Sequence, residues 1–206
     1  DGAGLQSIRL EAPESRSLPA LLAPELRITL LRLSRIEKAR ALAQRALSGL
    51  AGFAKAIKVK YNDVEVGLDF EPEPGLADNG DLEHDLQDLF QTVGEAARSA
   101  DTALILYFDE LQYVEEDQLA ALVISMHRMA QQKLPILLIG AGLPLLRGKM
   151  GKAKSYAERL FDYPDVGPLQ ASSAQEAIVK PAQHQGVSYT PDALSFILDQ
   201  AQGYPY

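Results

Sequence analysis

The spacing of hydrophobic positions changes several times along the chain, and each change predicts an element. Ile8 and Leu10 alternate with polar neighbours ahead of Pro13, which predicts a short strand over residues 7–14 running into a loop. From Pro24 to about Leu50 the chain is rich in Leu, Ala and Arg. Leu26, Leu30 and Leu33 fall on one helical stripe and Pro24 suits a first helical turn, so one long helix or two are expected. The period then drops to two, with Val59 and Tyr61 before Asn62-Asp63 and Val64 and Val66 after it, predicting a β-hairpin within residues 57–70. Residues 72–81, PEPGLADNGD, concentrate turn formers and predict an exposed loop capable of moving.

The second half has a stronger rhythm. Leu82, Leu86, Leu89, Phe90, Val93 and Ala97 recur at helical spacing behind Asp81, a candidate N-cap, and predict an amphipathic helix over 81–99. Ala103 to Phe108 is a nearly continuous apolar run ending in Asp109-Glu110, the pattern of a strand buried on both faces of a parallel sheet. Leu119, Leu122, Val123, Met126, Met129 and Ala130 mark the next helix, and PILLIGAG, 135–142, a second buried strand closed by glycines. This helix–strand alternation predicts right-handed crossovers, helices on the faces of a parallel sheet, and ligands at the strands' carboxyl ends. Leu160 to Val166 is a candidate further strand. Beyond Leu169 the pattern is helical. Ser173 with Glu176 has the form of a capping box, Thr190-Pro191 opens a helix carrying Leu194, Ile197, Leu198 and Ala201, and Gly203 is placed to end it.

Composition narrows the class. At 206 residues, with 47% hydrophobic and 23% charged residues, the chain suits one folded α/β domain with a small appendage. Twenty Lys and Arg against 28 Asp and Glu give a net charge of -8, so any contact with nucleic acid is expected through other parts of the protein. There is no cysteine, which removes disulfides and thiolate chemistry and fits a reducing, cytoplasmic compartment. No apolar run reaches the ~20 residues of a membrane span, and DGAGLQSIRL lacks the regions of a signal peptide.

Two adjacent carboxylates at the end of an apolar strand are costly unless something positive or hydrogen-bonding meets them. In ILYFDE, Asp109 suits a magnesium-directing acid and Glu110 a base that polarises an attacking water, as in the Walker B element of P-loop NTPases. From the hexapeptide alone, the pair serves equally well to open the helix that follows. The larger set LILYFDELQYV (104–114), LPILLIGAGLPLL (134–146), KSYAERLFDY (154–163) and the terminal GYPY resembles AAA-type ATPases related to the origin-recognition and STAND ATPases. That resemblance implies an ATP-binding, ATP-hydrolysing hydrolase that uses Mg²⁺ and ATP and works through protein partners or appended domains. It implies a three-layer parallel sheet of P-loop NTPase type over residues 1–169 and the start of a small helical lid over 170–206. It also implies catalytic roles for Glu110 and Arg159, a metal role for Asp109, a sensor strand ending at Gly140, and nucleotide contacts from Gly203 and Pro205. Read from the residues, Arg159 serves equally as a surface ion pair, and Gly203 and Pro205 as a helix stop.

The phosphate loop itself, GxxxxGK(S/T), is absent from these residues. Gly148-Lys149-Met150 fails the register, with Leu143 where the first glycine belongs and Met150 lacking the hydroxyl. This segment alone is therefore expected to bind ATP weakly or not at all. The sensor strand ends in Gly140-Ala141-Gly142, with no polar reader. His84, His127 and His184 have no ligand spacing, and Lys55, Lys58 and Lys60 suit a solvated hairpin edge. The alternative to an ATPase switch is a non-enzymatic protein- or DNA-interaction scaffold on a P-loop-like core.

Overall fold

The computed structural model describes residues 4–13, 16–57, 60–61, 64–65 and 70–204. The chain divides into two compact units at Asp162 and Tyr163; the sequence pattern puts the division at 169/170.

In the first unit, strand β1 (Gln6–Glu11) is followed by helices α1 (Leu18–Leu33) and α2 (Arg40–Ala56). The helix expected to begin at Pro24 begins six residues earlier. Pro19 takes the first-turn position, and Pro24 lies inside α1. The break between the helices falls where Ser34 turns its hydroxyl onto the Leu31 carbonyl at 2.9 Å and Ile36 becomes extended. Lys60–Tyr61 (β2) pairs antiparallel with Val64–Glu65 (β3), Tyr61 opposite Val64. Asn62, Asp63, Val59 and Val66 lie outside the described residues.

The 72–81 segment is the expected loop and most of it is exposed, but two of its side chains anchor it. Ala77 is fully buried and Leu76 nearly so. Gly52 of α2 admits the Leu76 carbonyl so closely that a Cβ there would lie 2.9 Å from it. Arg45 holds Glu73 through hydrogen bonds of 3.1–3.2 Å, and that bonding, then the carboxylate's charge, raises the Arg45 pKa. At the far end the fully buried Asp85 carboxylate accepts from Asn79 N at 3.0 Å and Gly80 N at 2.8 Å.

Helix α3 (Leu82–Ser99) opens as its sequence predicts, with Asp81 accepting from His84 N at 2.8 Å. Strand β4 (Leu104–Asp109), helix α4 (Glu116–Gln131) and strand β5 (Ile136–Gly140) follow, then the helices α5 (Leu145–Ala153) and α6 (Ala157–Leu160). The strands form a parallel sheet in the order β1-β4-β5, with Glu11 beside Asp109 and Phe108 beside Gly140.

Among the described residues, helices cover one face of that sheet, while on the other Ile105 and Tyr107 are only half-buried. Ile8, Leu10, Leu104, Leu106, Phe108, Ile136 and Leu138 are buried, while Arg9, Glu11, Asp109, Leu137 and Ile139 on the other face are exposed. The expectation of strands buried on both faces is thus corrected, and the topology supplies the reason. The chain steps β1 to β4 to β5 in one direction, and right-handed crossovers taken in one direction lay every connecting helix on the same side. Accordingly α1 packs on β1, α4 on β5, and α1 to α4 pack in succession on one another. The observed architecture is a mixed α/β unit with a small three-stranded parallel sheet.

Residues 161–170 form neither strand nor helix, so the strand expected over 160–166 is not there. Pro164 and Pro168 lack the donors a sheet ladder needs. The second unit contains α7 (Ala171–His184) and α8 (Pro191–Ala201). The capping box expected at Ser173 is not formed, because α7 begins at Ala171 behind an extended Gln170 and Ser173 sits within its first turn. Thr190 does cap α8, accepting from Ala193 N at 3.3 Å. That helix ends with Gln202 and Gly203 both left-handed, at φ 49° and 76°.

Candidate active site

Phe108, fully buried, anchors the carboxyl end of β4. There the chain turns abruptly, and the next residue but one, Glu110, is left-handed at φ 55°, ψ 33°. The turn is fastened on both sides. Ala12 N donates to the Asp109 carbonyl at 3.1 Å from the β1 side, while Leu111 N donates to Ala141 O at 3.0 Å and Ala141 N to Phe108 O at 2.7 Å on the β5 side. Asp109 Oδ1 accepts from Glu110 N at 2.9 Å. Asp109 and Glu110 are thereby held at the middle strand's mouth, where a parallel sheet collects its ligands.

Side chains of the turn after β4 occupy the space beside the glycines that close β5. A Cβ at Gly140 would lie 2.9 Å from Leu111 Cδ2, and one at Gly142 would lie 2.5 Å from Gln112 Oε1. Both let the turn after β4 pack flat on the exit of β5. Gln112, only 6% exposed, fills the seam: its amide donates to Glu110 Oε2 at 2.5 Å and accepts from Leu143 N at 3.1 Å, and its carbonyl accepts from Lys149 Nζ at 2.7 Å. Below the mouth, on the uncovered face, Arg9, Glu11, Tyr107, Asp109, Ile139 and Ala141 line an open cleft of about 540 Å³. Within it the Arg9 guanidinium sits over the Tyr107 ring, 5.8 Å from its centroid.

The other sequence-predicted residues are placed differently. Arg159 lies on α6, exposed, and among the described residues no hydrogen bond joins it to Asp109 or Glu110. Gly203 belongs to the second unit. There its carbonyl accepts from Leu169 N at 2.8 Å, and a Cβ would lie 2.5 Å from Leu169 O, so a glycine is required for backbone packing. Pro205 is outside the described residues. Sequence reasoning missed Gln112, Glu11 and the Arg9–Tyr107 pair. The signal for the first was the Gly140-Ala141-Gly142 run, since glycines at a strand end mark a close backbone approach.

The donor chemistry at the mouth is all oxygen, which suits a hard cation. Among the described residues no cluster of three or more His, Asp and Glu forms a self-sufficient metal cage. Asp109 and Glu110 are oxygen donors of the kind that hold Mg²⁺ together with phosphate oxygens. No family model matches the chain, and no curated protein or solved structure matches it significantly.

Proposed function

We propose that the first unit is the Walker B half of an ATPase core, an ATP-dependent switch of three-layer P-loop type in the intact protein. One observation carries this reading: an acidic pair at the carboxyl end of the middle strand of a parallel sheet, with the adjoining sheet face uncovered. Asp109, exposed beside Glu11 and with one oxygen on the Glu110 amide, is the residue to hold Mg²⁺. Glu110 is the residue to take a proton from water. Mg-ATP, when bound, supplies the phosphoryl group and the charge that two carboxylates are arranged to meet. The second unit, with α7 and α8, suits the beginning of a lid.

The test has two arms. Calorimetry on this chain should detect no stoichiometric ATP binding, because the GxxxxGK(S/T) loop with its lysine does not occur in these residues; tight binding here refutes that division of labour. In the intact protein, Glu110→Gln should retain ATP and stall turnover, whereas undiminished turnover removes Glu110 from the reaction. An intact protein that neither binds nor hydrolyses ATP favours the scaffold reading, for which exposed Leu137 and Ile139 would be the docking face.

A further inference from the structure

We propose that Gln112 is a positioning residue: it fixes the orientation of the Glu110 carboxylate and ties that orientation to the segment leaving β5. The inference rests on the reading of Glu110 as a base. Its geometry, though, stands independently. A primary amide has a donor end and an acceptor end, and at Gln112 each is committed, the Nε2 to Glu110 Oε2 at 2.5 Å and the Oε1 to Leu143 N at 3.1 Å. At 6% exposure neither end can turn to solvent, so release of Glu110 strands a buried donor. The backbone arrangement leads to the same contact. Left-handed Glu110 doubles the chain back so that a residue two positions on reaches its carboxylate, and Gly142 leaves open the space that the Gln112 amide occupies. Lys149 of α5 pins the Gln112 carbonyl at 2.7 Å, fixing the root of the side chain as well.

Two consequences follow for the chemistry. With Oε2 occupied, Glu110 Oε1 has no donor among the described residues and is the oxygen left to receive a proton. Because Leu143 holds the acceptor end, a displacement of residues 141–146 draws the amide away and frees the carboxylate to rotate. Gln112 thus couples the loop after β5 to the orientation of the Glu110 carboxylate.

The experiment follows the Gln112 side-chain amide resonances of the ¹⁵N-labelled 206-residue chain and their exchange with solvent. The Nε2 protons should be protected, lose that protection about tenfold or more in Glu110→Ala and keep it in Glu11→Gln. Gly142→Ala, which intrudes on Oε1, should speed hydrogen exchange at the Leu143 amide about tenfold or more, as expected when a buried hydrogen bond is lost. Nε2 protection that survives Glu110→Ala, or a Leu143 amide indifferent to Gly142→Ala, overturns the tether. In the intact protein Gln112→Leu should lower kcat about tenfold or more with KM for ATP little changed, the mark of lost orientation rather than lost binding. Unchanged kcat overturns the positioning role. If the NMR results hold and the intact protein does not hydrolyse ATP, it is the ATPase reading that fails while the tether stands.

Discussion

The left-handed backbone at Glu110 offers a measurement of how much the acidic turn costs the fold. At φ 55° a side chain with a Cβ is strained by about 1–2 kcal/mol, whereas glycine is not. Glycine in turn loses roughly 0.5–1 kcal/mol more conformational freedom on folding than alanine. Glu110→Ala and Glu110→Gly both delete the carboxylate and its bond from Gln112, so their difference isolates the backbone. Glu110→Gly should be the more stable of the two by about 0.5–1 kcal/mol. Both should fall below the wild-type chain, since a hydrogen bond to a charged group contributes about 1.5–3 kcal/mol and Glu110 is only half-buried. Lys133 provides the internal control. It is exposed, left-handed at φ 52°, and follows α4 in a Schellman-type end with Leu134 N bonded to Met129 O at 3.0 Å. Lys133→Gly should therefore exceed Lys133→Ala by the same amount without any loss of side-chain bonding. Urea unfolding followed by far-ultraviolet circular dichroism measures all four variants. If Glu110→Gly has a midpoint at or below that of Glu110→Ala while the Lys133 pair behaves as stated, the turn is not strained and the reasoning fails.

Three further outcomes are accessible by the same assay. Gly94→Ala should destabilise by about 1–3 kcal/mol despite alanine's better helix propensity, because its Cβ would lie 2.9 Å from the Leu134 Cβ; a stabilised variant contradicts that packing. Asp85→Ala should cost about 3 kcal/mol, leaving the Asn79 and Gly80 amides without their buried acceptor, against about 1 kcal/mol for the helix cap Asp81→Ala; equal costs would show the 72–81 loop to be unanchored. Leu138→Ala, on the covered face, should cost about 2–5 kcal/mol, while Leu137→Ala, 52% exposed on the other, should cost less than about half as much; the reverse order would mean the sheet face is mis-assigned.

What the sequence made legible depended on range. Asp81 and Thr190 cap the helices they precede because capping is settled within three residues, and the apolar runs ending at Phe108 and Gly140 are strands because nothing local competes. Pro24 misled because Pro19 lay upstream with an equally good first turn, and α1 extends over both. Ser173 misled because α7 starts two residues before it. The face of the sheet was illegible for a deeper reason: Leu137 and Ile139 are as apolar as Leu138, and their exposure follows from the direction in which successive crossovers run. The Gln112 contact was hidden likewise. It depends on Gly142 and Leu143 arriving beside the β4 turn some thirty residues later in the chain, which composition cannot report.

The uncovered face and the acidic pair are linked by handedness. Any element that covers Leu137 and Ile139 through a right-handed crossover must run against the β1-β4-β5 direction, because connections that run with it fall on the side already filled. The simplest such element is a parallel strand laid beside β5 whose connection returns to β1. Its carboxyl end would lie at the same edge of the sheet as Asp109, and the helix of its crossover would start there. That start would bring free backbone amides and the positive end of a helix dipole to the mouth where Asp109 and Glu110 stand. Covering the apolar face and completing an anion site beside two carboxylates are then one structural event. On the proposed reading, an element that covers the exposed leucine and isoleucine of β5 in this way also reaches the end of the sheet where Glu110 stands.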